Sequence, residues 1–182
     1  MKLVFLDRDG VINRFPGKGV YVTSQEQFEF LPGIFEAIRR LTEAGCEIHV
    51  VSNQGCVSRG LISEEALSKM TGHMLAEIKK HGGNIRKVHY CLHQRSDECE
   101  CKKPKLKLFH EAIGNRMLDM KQVYFAGDSQ EDIEAGKNLG CRTVLVLSGR
   151  TDKAGVADLS VKPDVVKKNL EEAARWILQE KS

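Results

Sequence analysis

The sequence has no long apolar segment, since no uninterrupted hydrophobic run approaches the ~18–20 residues that cross a bilayer. Proline is scarce, with 4 residues, and the 16 glycines are too few for a low-complexity chain. Neither sign of charge dominates, because 28 basic and 25 acidic side chains leave a net charge of +3. These absences argue against a membrane-spanning, disordered or strongly basic nucleic-acid-binding protein. The short apolar run after Met1 also differs from a secretory signal, and we expect a cytoplasmic protein.

Short strand-like segments alternate with longer amphipathic segments along the chain. The predicted strands cover residues 3–6, 46–51, 85–90, 122–126 and 143–147, with a short edge strand at 164–166. The predicted helices cover residues 33–44, 104–115, a segment from Ser63 to about Gly82, one that ends at Leu139, and one that Asn169 caps. This alternation predicts a single α/β domain over residues 1–182, with a three-layer, Rossmann-like parallel sheet and helices on both faces.

Polar and charged side chains follow three of the predicted strands and precede one helix. They are Asp7 and Asp9 after the first strand, Ser52, Asn53 and Gln54 after the second, Asp128 and Asp132 after the fourth, and the pair Lys102 and Lys103. Each group alone also fits an ordinary turn, loop or helix N-terminus. The carboxyl ends of parallel strands share one edge of a sheet, so we expect the groups to meet there.

Four potential soft-metal ligands lie close together between the third strand and the third helix. Cys91, His93, Cys99 and Cys101 supply three thiolates and one imidazole. In a reducing compartment such a group favours a metal over a disulfide, and its ligand count matches a closed tetrahedral zinc site. A chance grouping of cysteines in a loop is the alternative.

Several of these motifs together resemble one known family. The motifs are Leu6–Asn13 (LDRDGVIN), Ser52-Asn53-Gln54, Ser58-Arg59-Gly60, and Tyr90–His93 followed by Cys99–Pro104. From Met1 to about Gly149 the chain resembles the haloacid dehalogenase-like (HAD) phosphohydrolase superfamily. Within it, the motifs are similar to the branch that contains the heptose 1,7-bisphosphate 7-phosphatases and the histidinol-phosphate phosphatases. The resemblance implies an HAD-like sheet, and a chain of this length leaves no room for a large cap domain.

The resemblance implies a Mg²⁺-dependent phosphomonoester hydrolase. Asp7 is then the nucleophile that forms an aspartyl-phosphate, and Asp9 is the general acid and base. Mg²⁺ is held by a carboxylate oxygen of Asp7, the backbone carbonyl of Asp9 and a carboxylate oxygen of Asp128. We expect Asp132 to orient its neighbours rather than to bind the metal.

The resemblance also implies which residues bind the substrate. Ser52, Asn53, Gln54, Arg59, Lys102 and Lys103 are the predicted phosphate and substrate ligands. We expect Lys103 to act as a mobile ammonium at the transferring phosphate and Lys102 to reach the distal part of the substrate. Structural zinc on Cys91, His93, Cys99 and Cys101 would fold the loop 91–101 and fix both lysines beside the site.

The segment after the first motif departs from the family pattern. The heptose enzymes typically continue Asn-x-Asp-x-Gly-Tyr-Val, whereas residues 13–22 are longer and lack that aspartate. This difference leaves the phosphoryl-transfer residues, and hence the predicted reaction, unchanged. The predicted substrate is a small phosphorylated sugar, with a heptose 1,7-bisphosphate as the best single candidate. Histidinol phosphate is the alternative ester, followed by a polynucleotide end. For the last, only Phe15 and Tyr21 could stack a base, and no interleaved basic and aromatic segment supports a nucleic-acid partner.

Three other classes remain as alternatives. A signal receiver has a similar sheet but carries its phosphorylated aspartate at the end of the third strand, where this chain has Cys91. A non-catalytic module would be free to lose Asp7 or Lys103, which are present. A phosphotransferase differs only in its acceptor. We expect a monomer that acts on a small phosphorylated metabolite, without a membrane or nucleic-acid partner.

Overall fold

The computed structural model describes residues 1–180 and contains one six-stranded sheet. All strand pairs are parallel, in the order β3-β2-β1-β4-β5-β6. The strands are β1 Leu3–Leu6, β2 Glu47–Asn53, β3 Lys87–Cys91, β4 Val123–Gly127, β5 Arg142–Val146 and β6 Val165–Lys167. The central strand β1 is buried along its whole length, which explains its continuous apolar sequence. The predicted parallel α/β fold is confirmed.

Five helices cover the sheet. They are α1 Ile34–Glu43, α2 Glu64–Lys80, α3 Lys107–Ile113, α4 Gln130–Leu139 and α5 Leu170–Gln179. Ser63 caps α2 through its hydroxyl, which accepts from Ala66 N at 3.1 Å, and Asn169 caps α5 in the same way. None of the helices within residues 1–180 is long and apolar enough to cross a membrane.

The helices lie on both faces of the sheet, as predicted. Helices α1, α2 and α5 pack on the face that includes Val4, Val50 and Tyr124. On the opposite face, the ring of Phe109 in α3 lies 5.0 Å from Phe5 and 5.1 Å from Phe125, between centroids. Both cores are apolar and buried, so the sheet is a rigid support for the loops that follow its strands.

Most element boundaries differ from the sequence prediction by one or two residues, and the differences at β2 and α3 have a local cause. Strand β2 extends to Asn53 because Asn53 pairs with Cys91 of β3. Helix α3 covers only Lys107–Ile113 rather than 104–115. Its start is delayed by a turn in which Lys105 N donates to Lys102 O, and its end is set by Gly114, which has a φ of 61°.

The strand order changes direction between β1 and β4. From β1 the chain continues to β2 and β3 on one side, and the later strands β4, β5 and β6 lie on the other. Beyond the carboxyl ends of β1 and β4, Asp7 N donates to Ala126 O at 3.0 Å, so the two strands remain joined where they end. Such a switch point opens a crevice in which α/β proteins bind ligands.

Candidate active site

Three carboxylates meet at the switch point. Asp7 follows β1, Asp128 follows β4, and Asp132 lies in the first turn of α4; one oxygen of each falls within a group whose members are all within 4.8 Å. All three residues are buried. The predicted meeting of Asp7 with Asp128 is therefore present in the structure, although these residues are distant in sequence.

Glycines and main-chain donors fix this cluster. A Cβ atom at Gly10 would lie 2.1 Å from Asp128 Oδ2, and one at Gly149 would lie 2.0 Å from it, so both positions need the absence of a side chain. Arg150 N donates to the same oxygen at 2.6 Å. Asp132 Oδ2 accepts from Asp128 N, Ser129 N and Ser129 Oγ, which matches its predicted orienting role.

Lys103 is the cation of the cluster. Its Nζ lies 2.9 Å from Asp7 Oδ1, 2.7 Å from Asp132 Oδ1 and 2.8 Å from the carbonyl oxygen of Val51. The residue is 4% exposed, and its ammonium donates a hydrogen bond to the Val51 carbonyl and forms ion pairs with the two carboxylates. Within the described residues Lys103 is the one cation in ion-pair contact with these buried carboxylates, and the mobility predicted for its ammonium stays a prediction.

The charges of the cluster do not balance. Burial raises the pKa of Asp7 from 3.8 to about 6, with Asp132 and Asp9 adding to the rise and Lys103 opposing it. Burial, Asp132 and Asp7 together raise the pKa of Asp128 well above its ordinary value. Three carboxylates against one ammonium leave an excess of negative charge. Oxygen donors in this arrangement fit a hard divalent cation such as Mg²⁺.

Asp9 lies on the other side of Asp7 and is surrounded by donors. Arg8 donates to both of its oxygens, at 2.9 and 3.0 Å, and Asn13 Nδ2 donates to Oδ1 at 2.8 Å. Gln54 Nε2 donates to Oδ2 at 2.7 Å. Asp9 still lines the cavity described below, whereas Arg8 and Gln54 do not. Reasoning from the sequence overlooked Arg8 because it stands as a spacer between two carboxylates.

Residues at the end of β2 lie beside this group, and only Gln54, which follows the strand, is placed differently from the prediction. Ser52 and Asn53 line the cavity, and the Asn53 side chain pairs with the backbone of Lys103, accepting from its N–H at 3.0 Å. Gln54 is fully buried, and its amide donates to Asp9 and to Ser52 Oγ. This placement differs from the predicted phosphate contact of Gln54, since its polar atoms already contact protein groups.

A cavity of about 1300 Å³ opens above the carboxylates. Its walls come from the loop 15–21, Arg59, the segment 94–105, and residues 129–132 with Arg150 and Thr151. Two of its cations already have carboxylate partners: Arg150 contacts Glu131 at 3.2 Å and Lys105 contacts Glu100 at 2.8 Å. Arg59 lies 5.7 Å from the Tyr21 ring centroid and forms no ion pair within residues 1–180. It is therefore available to an anion.

Lys102 also lines this cavity. Its ammonium has one weak contact, to His93 O at 3.4 Å. Within the part of the chain that the structure describes, Lys102 has no carboxylate partner. The structure thus brings Ser52, Asn53, Arg59, Lys102 and Lys103 around one cavity, as the sequence predicted, and leaves only Gln54 outside it.

The Cys/His cluster lies beside the cavity, which it lines through Cys99. The sulfur atoms of Cys91, Cys99 and Cys101 are 3.2 to 3.6 Å apart, and His93 Nδ1 lies 3.1 Å from Cys101 Sγ and 3.9 Å from Cys91 Sγ. These distances exceed the ~2.05 Å of a disulfide. They are close to the ~3.8 Å edge of a tetrahedron with zinc–sulfur bonds of ~2.3 Å. The four side chains can therefore surround one tetrahedral metal ion.

Comparison with known proteins agrees with this architecture. The model of the HAD-hydrolase-like family matches residues 100–173. The D-glycero-beta-D-manno-heptose-1,7-bisphosphate 7-phosphatase of Pseudomonas putida is 33% identical, covering 84% of this chain and 86% of that protein. The corresponding alpha-anomer phosphatase of Campylobacter jejuni is 37% identical, covering 81% and 83%.

A solved structure extends the similarity to the whole fold. The D,D-heptose 1,7-bisphosphate phosphatase of B. bronchiseptica, complexed with magnesium and phosphate, superimposes with a TM-score of 0.91 at 31% identity, over 100% of both chains. The resemblance inferred from the first motif is thus confirmed. This chain belongs to the HAD-like phosphatases, in the family of the heptose-1,7-bisphosphate 7-phosphatases.

Proposed function

We propose that this protein is a Mg²⁺-dependent phosphatase that removes the 7-phosphate of a D-glycero-D-manno-heptose 1,7-bisphosphate. The observation that carries the proposal is the buried Asp7, which lies 2.9 Å from Lys103 at the floor of a cavity whose wall offers the unpaired cations Arg59 and Lys102. Relatives that share most of the chain have this activity by name. A substrate with two phosphates fits a cavity with a reactive floor and a cationic wall.

Asp7 attacks phosphorus, and the bond between phosphorus and the ester oxygen breaks as an aspartyl-phosphate forms. Asp9 donates a proton to the departing oxygen. In the second half-reaction Asp9 takes a proton from water as the water oxygen attacks phosphorus, and inorganic phosphate leaves while Asp7 is regenerated. Lys103 and the hydroxyl of Ser52 stabilise the transferring phosphoryl oxygens.

The candidate metal ligands are Asp7, Asp128 and the backbone carbonyl of Asp9. When bound there, Mg²⁺ neutralises charge on the phosphate and on the carboxylates. The raised pKa values of Asp7 and Asp128 support this assignment, because these buried carboxylates lie beside Asp132 and the single ammonium of Lys103 does not balance all three.

Zinc on Cys91, His93, Cys99 and Cys101 is part of the same proposal. Four protein ligands leave no position for a reacting water, so this ion is structural. Its role is to order the segment 91–101, which leads directly into Lys102 and Lys103. The near-tetrahedral spacing of the four donor atoms supports it.

We also propose that the enzyme works as a monomer in the cytoplasm. One chain supplies every wall of the cavity. All six cysteines are free in the structure, which suits a reducing compartment. Sedimentation at micromolar concentration tests the monomer.

The experiment is phosphate release with Mg²⁺ from a panel of esters. The panel contains both anomers of the heptose 1,7-bisphosphate, the heptose 7-phosphate, histidinol phosphate and a 3′-phosphorylated oligonucleotide. We expect a preference for one bisphosphate anomer, no turnover by Asp7→Asn and normal turnover by Asp158→Asn, an exposed control. Preference for histidinol phosphate or the oligonucleotide would overturn the heptose assignment. Transfer of the phosphate to a sugar acceptor instead of water would overturn hydrolysis.

A further inference from the structure

The carboxylate of Asp9 is enclosed by a set of donors that we call the Asp9 cradle, which consists of Arg8, Asn13 and Gln54. Oδ1 accepts from Arg8 NH2 at 2.9 Å and from Asn13 Nδ2 at 2.8 Å, and Oδ2 accepts from Gln54 Nε2 at 2.7 Å. Arg8 NH2 also reaches Oδ2 at 3.0 Å. Both oxygens are thus fixed from two directions, so the plane of the carboxylate is determined.

Arg8 is an unusual residue to find in this position. It is 1% exposed, and its guanidinium lies 5.8 Å from the ring centroid of Phe28 and 5.7 Å from that of Tyr90. Asp9 is its only carboxylate partner within residues 1–180. An apolar side chain of similar size in such a site is commonly as stable as a buried ion pair, so stability alone does not account for an arginine here.

Gln54 is fixed as firmly as Arg8. It is fully buried, its Oε1 accepts a contact from Cys56 Sγ at 3.6 Å, and its Nε2 donates to Ser52 Oγ as well as to Asp9. One amide therefore connects Asp9 with Ser52, and these two residues both line the cavity. The Gln54 amide therefore fixes the distance between Asp9, which follows β1, and Ser52, near the end of β2.

We propose that Arg8 and Gln54 are positioning residues for Asp9: they hold its carboxylate at one place and in one plane, so that it meets the ester oxygen of the bound substrate. This inference rests on the proposed function, in which Asp9 transfers that proton. Proton transfer needs hydrogen-bond reach, and a carboxylate free to rotate satisfies this requirement in only part of its positions. Neither residue touches the cavity, so both act through Asp9.

Two esters with different leaving groups test the proposal. A sugar phosphate loses an alkoxide, which departs only with a proton, whereas 4-nitrophenyl phosphate loses a phenolate that departs without one. The ratio kcat/KM covers only the first half-reaction, so it isolates the proton that Asp9 donates. The variants are Arg8→Met and Gln54→Met, which keep size and remove the donors, and Arg39→Met, a control on α1 whose ion pairs with Glu36 and Glu43 are remote from the cavity.

For Arg8→Met and Gln54→Met we expect kcat/KM for the sugar phosphate to fall about 100-fold and that for 4-nitrophenyl phosphate to fall less than about threefold. Arg8→Lys restores one charged donor and should recover part of the loss for the sugar phosphate. The control keeps both values. Misfolding of a variant lowers both substrates equally, so the ratio of the two is insensitive to it.

An equal loss on both esters in a variant that keeps the wild-type circular dichroism spectrum and melting temperature, or no loss in Gln54→Met, would overturn the positioning role and leave the Asp9 cradle a structural feature. The Gln54 variant decides the matter if Arg8→Met does not fold. Failure of the proposed function itself is visible separately, because wild-type protein would then release phosphate from neither ester.

Discussion

The acidic cluster takes its residues from distant parts of the chain, whereas the Cys/His cluster takes all of its residues from one short segment. Asp7, Asp128 and Asp132 are buried and are held by strands, by the start of α4 and by main-chain donors. Of the other cluster only Cys91 belongs to a strand, and His93 is exposed. The sheet therefore builds the first group without any ion. The second is anchored in the core through Cys91 and Cys101, while His93 and the residues between it and Cys99 have few apolar contacts, so we expect a bound ion to order this part of the segment.

The difference concerns charge as well as position. The acidic cluster carries buried negative charge: burial raises the pKa of Asp7, and the neighbouring Asp132 and Asp9 add to the rise. A cation bound there would offset that charge. We therefore expect loss of the two ions to affect different properties: catalysis at the acidic cluster, and local order at the Cys/His cluster.

The largest expected effect comes from Asp128→Asn. This change removes one negative oxygen ligand and leaves the packing of Gly10 and Gly149 unchanged in size. We expect turnover at a fixed Mg²⁺ concentration to fall at least about 100-fold, since even indirect partners of metal ligands are worth ~10–100-fold. Zinc content, measured by atomic emission, should stay at the wild-type level. Asp158→Asn is the control, and loss of zinc from Asp128→Asn would break the separation of the two clusters.

The next effect comes from Cys101→Ser, with Cys46→Ser as a half-buried control outside the cluster. We expect the variant to lose its zinc and KM for the bisphosphate to rise about 10-fold, because Lys102 and Lys103 follow the segment that the ion orders. Amide hydrogen exchange of residues 91–105 should increase and that of β1 and β4 should not. Unchanged exchange in the segment would show that the loop keeps its order without an ion.

A pH series measures what it costs to keep the buried Asp7 ionised beside Asp132 and Asp9. The pKa of Asp7 is raised from 3.8 to about 6, so the folded protein binds this proton more tightly than the unfolded chain. The free energy of unfolding in Mg²⁺-free buffer should therefore fall as pH rises from about 4 to 7, and the contribution of Asp7 is about 2–3 kcal/mol.

Asp7→Asn does not titrate and isolates this contribution. Subtracting its free energy of unfolding, measured in urea at each pH, removes the terms that both proteins share. Adding Mg²⁺ should reduce the slope in the wild type only. A difference that does not change with pH, or that grows as pH rises, would contradict the assigned repulsion.

The smallest effect concerns Lys102. This residue follows Cys101 of the Cys/His cluster in sequence, and its side chain lines the cavity above Asp7. For Lys102→Met we expect KM for the bisphosphate to rise about twofold to fivefold, the value of one solvent-exposed charge pair, with little change in kcat. A monophosphate without the distal group should show no change. Lys69→Met, on the exposed side of α2, is the control. A larger fall in kcat than in affinity would place Lys102 at the reacting phosphate.

The pattern of apolar residues was sufficient to predict the sheet and most of its helices. Ser63 and Asn169 begin their helices because each offers a side-chain acceptor to a free N–H, which is a local property. The early end predicted for β2 was wrong for a different reason. Asn53 is polar, but its strand pairing depends on Cys91, which periodicity does not reveal.

In the candidate site, too, short sequence motifs were sufficient to predict individual residues, whereas contacts between residues distant in sequence could not be predicted. Motif resemblance was sufficient to name Asp7, Asp9, Asp128 and Lys103. It did not indicate that Lys103 pairs with both Asp7 and Asp132 or that Gln54 donates to Asp9, because both contacts depend on which strand ends become neighbours. Arg8 was overlooked also because Phe28 and Tyr90, the two rings beside its guanidinium, are distant from it in sequence.

The position of β1 at the centre of the sheet has a consequence for synthesis of the protein on the ribosome. Its first neighbour, β2, is complete by Asn53, but its other neighbour, β4, begins only at Val123. Until that strand emerges, one edge of the most apolar strand has no partner, and Asp7 lacks Asp128. The nascent chain thus carries an open, aggregation-prone edge and an incomplete site for most of its translation. Slow translation before β4 prolongs that exposure, and rapid translation through it shortens it.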